Sequence, residues 1–116
     1  MAKEITASVS TVITDTGNQV QGNAASQADF SGKLIATEIT VPTASTLLSL
    51  GSVTTPTVIF IKNTDPTNYI ELDHVTGFTA WPQKLLPGEG IILYPEDGTI
   101  YGKANTASVK IWVVAG

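Results

Sequence analysis

The chain of 116 residues contains no cysteine, and its charged fraction is only 14%. Without cysteine there is no disulfide framework, no thiolate nucleophile and no thiolate-held metal, and the compartment cannot be read from redox chemistry. Arginine is missing as well: all six basic residues are lysines, in a chain of net charge −4. That removes the bidentate fork suited to phosphate and guanine, and an acidic domain is repelled by the nucleic-acid backbone. Nucleic acid is therefore disfavoured as a partner. No apolar run comes near the roughly 20 residues of a membrane span, so no membrane partner is expected. Residues 1–6 have no apolar h-region, and the expectation is a soluble protein made in a cytoplasm without a secretory signal.

What is present is apolar and β-branched. Hydrophobic residues make up 42% of the chain, and threonine and serine are abundant. Threonine tolerates either face of a sheet. A surface so short of charge is more often covered by a partner than left in water. The length suits one domain, residues 1–116, burying roughly two-thirds of its unfolded surface.

The stretch 57–73 organises the rest. Val58, Ile59, Phe60 and Ile61 form an unbroken β-branched and aromatic run, the mark of a strand buried on both faces. Asn63, Asp65, Pro66 and Asn68 supply turn chemistry. Tyr69, Glu71 and Asp73 then alternate with Ile70 and Leu72, giving one wet and one dry face. The expectation is a β-hairpin.

Along the chain, the odd positions Ile5, Val9 and Ile13, with Ala7 and Thr11 between them, alternate with polar residues interrupted by Val12 across residues 3–14, so a long strand with one packed face is expected. A turn follows at residues 15–18. Residues 19–31 are small and polar, anchored only by Val20 and Phe30. They read as a loose loop or as an arm that orders against a neighbouring subunit. Alternation over 33–41 predicts a strand stopped by Pro42. Residues 44–50 fit a helical turn or a strand, and their shortness favours an edge strand. Pro87-Gly88 predicts a type II turn between brief strands at 83–86 and 90–94. Strands at 99–101 and 108–114 are expected to pair. Turn signals every 8–12 residues, with no long helical pattern, indicate an all-β fold. About eight or nine strands in an antiparallel, jelly-roll-like β-sandwich are expected, with residues 1–31 as a possible N-terminal strand or arm.

No cluster announces chemistry. His74 follows Asp73, and neighbouring strand residues point to opposite faces, which spoils a Ser–His–Asp arrangement. Its expected role is a polar residue at a strand end. Glu71 and Asp73, with Glu96 and Asp97 in a later turn, have neither calcium-loop spacing nor the cleft of a sugar hydrolase. They are expected to be solvated charges. No catalytic residue, cofactor or metal is expected, and the chain is not expected to be an enzyme.

The candidate contact residues are apolar. Phe78 and Trp81 sit in a loop-like segment beside Gly77 and Pro82, where they can stack on a sugar ring or plug into a partner. The alternative is that Trp81 caps one end of the sandwich. Trp112 and Val114 belong to a C-terminal strand apolar on both faces. At an open edge that strand would be an aggregation hazard, so it must be central, covered or paired between subunits. Together with Ile5, Val9 and Ile13, these residues form the expected partner interface.

The stretch Phe60-Ile-Lys-Asn-Thr-Asp-Pro-Thr-Asn-Tyr-Ile-Glu-Leu72, with Lys84-Leu-Leu-Pro-Gly-Glu89 and Tyr101-Gly-Lys-Ala-Asn-Thr-Ala-Ser-Val109, resembles small structural proteins of tailed bacteriophages. The resemblance covers about residues 54–114, and its motifs are turns rather than catalytic signatures. It implies a virion protein, first of all a capsid decoration (cement) protein. Such a protein would bind the major capsid protein lattice, stabilise the head, and assemble as a homotrimer on the capsid surface. A head-fibre, tail or baseplate component is the alternative within that class. A carbohydrate-binding module using Trp81, Phe78 and the Glu71/Asp73 face is the alternative outside it.

Overall fold

A computed structural model describes residues 4–15, 17–29, 34–96 and 98–116. It is all-β, with ten strands, and the chain divides into two compact units, Met1–Ser31 and Gly32–Gly116. Among the described residues no helix is long and apolar enough to cross a membrane. Phe30 and Asp97 lie outside the described residues.

The first unit is a ribbon of two antiparallel strands, β1 (Glu4–Asp15) and β2 (Asn18–Asp29). Their register runs unbroken from Glu4↔Asp29 to Asp15↔Asn18. The two-residue connection uses Gly17 at φ +87°, a left-handed conformation that glycine adopts without a Cβ penalty. Residues 19–29 are therefore a strand rather than the loose loop their polarity suggests, which raises the count from eight or nine to ten. The backbone groups of every second residue pair with β1, which does not require these residues to carry apolar side chains.

The second unit is a sandwich of two four-stranded sheets, ordered β3-β10-β5-β8 and β4-β9-β6-β7. The strands of the first sheet are β3 (Ile35–Val41), β5 (Ile59–Asn63), β8 (Gly90–Leu93) and β10 (Val109–Ala115). Those of the second are β4 (Thr46–Leu47), β6 (Ile70–Asp73), β7 (Gln83–Leu85) and β9 (Tyr101–Ala104). All pairings are antiparallel. From β3 onward every connection changes sheet except β6–β7, which is the winding of a jelly roll.

One core lies between the sheets. β10 alternates strictly, with Val109, Ile111, Val113 and Ala115 buried. In register, Val113 faces Ile61 on β5 and Ile111 faces Ile39 on β3. Ile70, Leu72, Leu85 and Ile100 fill the same cluster from the other side. β10 is thus central, and pairing between subunits is not needed to protect it. The edge strand expected near residues 44–50 is β4, at the end of its sheet.

The central hairpin expected at 57–73 does not form. β5 and β6 belong to opposite sheets, as do β9 and β10. The reason lies in the turns. Tight hairpins use turns with φ > 0 at their first central residue, whose twist matches the strands, while ordinary type I and II turns splay them. Residues 64–69 contain no positive-φ residue. The turn at 86–89 has Pro87, Gly88 at φ +84° and a bond from Glu89 N–H to Leu86 C=O, hence type II. These are corners, and the chain uses them to change sheet.

Candidate functional site

The two ends of the sandwich are built differently. At one end Asn63, fully buried, is a hydrogen-bond hub. Its Nδ2 donates to the carbonyls of Asn68 (2.9 Å) and Leu85 (3.0 Å), and its Oδ1 accepts from Asp65 N–H (2.9 Å). Leu85 is on the opposite sheet, so one side chain ties the sheets together. Asp65 Oδ2 in turn accepts from the amides of Thr67 and Asn68. The Asn68 amide first, then that of Thr67, holds its carboxyl below the ordinary aspartate value. Thr106 Oγ1 donates to Asn68 Oδ1, Thr64 Oγ1 donates to Lys110 C=O, and Leu86 N–H donates to Glu89 Oε2. The turn residues Asn63, Asp65, Asn68, Glu89 and Thr106 are therefore the fastenings of this end.

The opposite end carries the loop 74–82 between β6 and β7. Asp73 was expected on the wet face; its side chain is instead fully enclosed. It accepts from the backbone amides of His74 (2.7 Å), Ala80 (3.1 Å) and Trp81 (3.2 Å). Burial pushes this carboxyl up, but the amides of His74, Trp81 and Ala80, with the neighbouring imidazole, outweigh it and leave it below its ordinary value. A carboxylate held ionised in this way is a loop clamp and a poor proton donor. His74 stands beside it, its Nδ1 3.3 Å from Asp73 Oδ1 and its side chain exposed.

Within the loop, Phe78 has φ +54°, an unusual conformation for a bulky residue. It is only 9% exposed, and Lys103 Nζ lies 4.6 Å from its ring centre. Phe78 thus supports the loop from below and offers no open ring face. Trp81 does the reverse: it is 74% exposed and caps nothing. The clamp holds its backbone and leaves its indole in solvent.

Trp81 borders a cleft of about 610 Å³ between β7 and β8, the edge strands of the two sheets. Leu72, Ile91, Leu93 and Ile100 line it with apolar surface; His74, Gln83 and Glu96 supply polar groups, and Tyr94 a second aromatic ring. Asp73 and Glu96 do share this cleft, whereas Glu71 stands opposite Lys84 and Lys103 in the ladders as a strand-face charge. Among the described residues, no group of three acidic or histidine side chains is placed to hold a metal ion.

Two further apolar faces are open. Trp112 and Val114 point away from the core on β10, 40% and 37% exposed, opposite Lys62 and Phe60 on β5. On the ribbon, Val9 pairs with Ala24, Thr11 with Gly22 and Ile13 with Val20, and Val9, Thr11 and Ile13, at alternate positions of β1, share a face. Val9 and Ile13 are 53% and 64% exposed, while Ala7 on the same face is buried, so the packed face expected for β1 is open at Val9 and Ile13 and covered at Ala7. The backbone of Ile5 pairs with Ala28 in the same register, and its side chain lies outside those described.

The sequence singles out Trp81 but misses Tyr94 as a second ring at the cleft, because Tyr94 ends an apolar strand and reads as core or interface. The usable signal was Pro95 directly after it, which places Tyr94 at a strand end. No family model, curated protein or solved structure matches the chain.

Proposed function

We propose that the protein is a non-enzymatic structural protein of a bacteriophage virion, a decoration protein that binds the major capsid protein lattice as a homotrimer and stabilises the head. The ribbon carries this reading. A lone two-stranded ribbon is at best marginally stable in water, and this one leaves Val9 and Ile13 exposed on one face. Such a face is completed by burial against neighbouring subunits, which a lattice-binding protein provides. The resemblance of residues 54–114 to phage structural proteins supports the same reading. So does a charged fraction of only 14%, which suits burial against capsomers.

Adding the protein to capsids that lack it should raise their melting temperature or their resistance to force; absence of binding would sink the reading. Removing residues 1–31 should abolish trimer formation and capsid binding while the sandwich stays folded, because its core cluster runs only from Val41 to Ala115. Light scattering coupled to size exclusion reads the first effect and far-UV circular dichroism the second. Loss of the fold with retention of the trimer would count against the ribbon as the assembly element.

A further inference from the structure

We propose that the cleft between β7 and β8 is a binding site for a neutral glycan, with Trp81 as the ring on which a sugar stacks. This stands independently of the virion reading, since it rests on the cleft beside the 74–82 loop and uses neither the ribbon nor the turns at the other end of the sandwich.

The cleft's volume, about 610 Å³, falls within the roughly 300–1,000 Å³ of small-ligand sites. A pyranose has an apolar face of C–H groups and a rim of hydroxyls. It therefore needs a flat aromatic surface beside hydrogen-bonding groups that both donate and accept. Trp81 provides the surface, its indole largely in solvent. Gln83 and Glu96 stand at the same cleft, with His74 beside them. An amide, a carboxylate and an imidazole together cover both hydrogen-bonding roles. Leu72, Ile91 and Leu93 give an apolar floor for the ring edges.

Preorganisation points the same way. A solvent-exposed tryptophan on a slack loop would lose ordering entropy on binding. Here Asp73 fixes the Trp81 and Ala80 amides, Ser45 Oγ donates to the Thr76 carbonyl at 2.9 Å, and Phe78 is buried beneath. The aromatic platform is in place before a ligand arrives. Charge selects the class of glycan. The chain has no arginine and a net charge of −4, and Glu96 lies in the cleft, so sulfated, phosphorylated or uronic-acid sugars are repelled. Neutral hexose and N-acetylhexosamine chains remain.

The test uses the full chain carrying Trp112→Phe, which leaves Trp81 as the sole tryptophan reporter. Short neutral glucose-, galactose- and N-acetylglucosamine-based oligosaccharides are titrated while emission and acrylamide quenching are followed. At least one series should shift the emission to the blue and protect it from quenching. By calorimetry, in the otherwise unmodified chain, Trp81→Ala should weaken that binding about tenfold or more, and Trp81→Phe should restore most of it. No response to any of the three series overturns the proposal. So does binding that survives Trp81→Ala unchanged. If the glycans are inert while Trp81→Ala removes capsid binding, Trp81 is a protein-docking knob and the glycan site is refuted while the virion reading stands.

Discussion

The ribbon and the jelly roll show two ways in which one chain satisfies the same backbone. In the ribbon every described pairing is a ladder between neighbours in sequence, and its apolar side chains Val9 and Ile13 stay in solvent. In the jelly roll, partners come from far along the chain, as where β3 pairs with β10, and the apolar side chains meet in one core. Hydrogen bonding alone shapes a strand, whereas burial of apolar surface supplies most of the stability. The difference fits the proposed division of labour, in which the jelly roll holds itself together and the ribbon is completed by neighbouring subunits.

The sharpest way to break that contrast is to remove the same side chain from each region. Ile61 is fully buried on β5, between Val113 and Ile91 in the ladders. Ile61→Ala should cost about 2–5 kcal/mol of unfolding free energy, as cavity-forming changes in a close-packed core do. Ile13→Ala removes an exposed side chain and should change the unfolding of the isolated protein by less than about 0.5 kcal/mol. Urea midpoints followed by tryptophan fluorescence compare the two. Equal losses would mean that Ile13 is buried in the free protein, and the division of labour would fall.

Next in size is the polar fastening of the jelly roll. Asn63→Ala leaves two carbonyls and one amide without their partner. With Leu85 C=O buried on the far sheet, the loss should be about 2–3 kcal/mol. Because the hub joins the sheets, Asn63→Asp should not rescue it: a carboxylate cannot donate to those carbonyls. A full rescue by aspartate in urea unfolding would show that the two donated bonds contribute nothing.

Alternation and turn chemistry made most of the strands legible: β3, β5, β6 and β10 lie close to where Ile35, Ile59, Ile70 and Val109 put them. Connectivity was not legible. Asn63, Asp65 and Pro66 announce a turn, but whether a turn returns the chain beside itself or hands it to the facing sheet depends on twist and on distant acceptors such as Leu85 C=O. β2 was hidden for the opposite reason. Its residues are small and polar, and only its partner makes it a strand. At the candidate site, the place of Trp81 between Gly77 and Pro82 marked it as a contact residue or a cap on the sandwich without deciding between the two. The enclosure of Asp73 was not legible, because it requires the 74–82 loop to fold back over the end of β6.

The two aspartates that organise the corners predict an acid response. Both Asp65 and Asp73 have their carboxyls lowered in the folded state. A group with a depressed folded value binds its proton more readily when unfolded. Its stabilisation is therefore fully present above the unfolded aspartate value of about 4 and is lost as pH falls through the folded one. The melting temperature of the jelly roll should hold steady from neutral pH down to about 5 and then drop. Asp73→Asn should flatten that drop while lowering the plateau, since the amide keeps only one of the two accepting oxygens and turns a donor toward the amides that the other one served. An unchanged acid slope in both Asp65→Asn and Asp73→Asn would assign the acid sensitivity elsewhere.

The smallest effect makes the finest comparison, because chemically identical changes can be placed in each region. Gly17 and Gly88 have nearly the same backbone, φ +87° and φ +84°, and a Cβ at either would meet nothing within 4 Å. Alanine therefore adds no clash at either site and only the left-handed strain, roughly 1 kcal/mol. At Gly88 the strain falls on a corner bonded to the core strands, where Gly88 N–H donates to Asn63 C=O. The global unfolding transition should move by that full amount. At Gly17 the same strain falls on the ribbon's turn, and if the ribbon opens separately from the jelly roll, the global transition should stay where it is. The loss should then appear only as faster amide exchange along residues 4–29. Equal shifts of the global transition for Gly17→Ala and Gly88→Ala would instead make ribbon and jelly roll one cooperative unit, and the assembly role would have to be sought on the Trp112 and Val114 face.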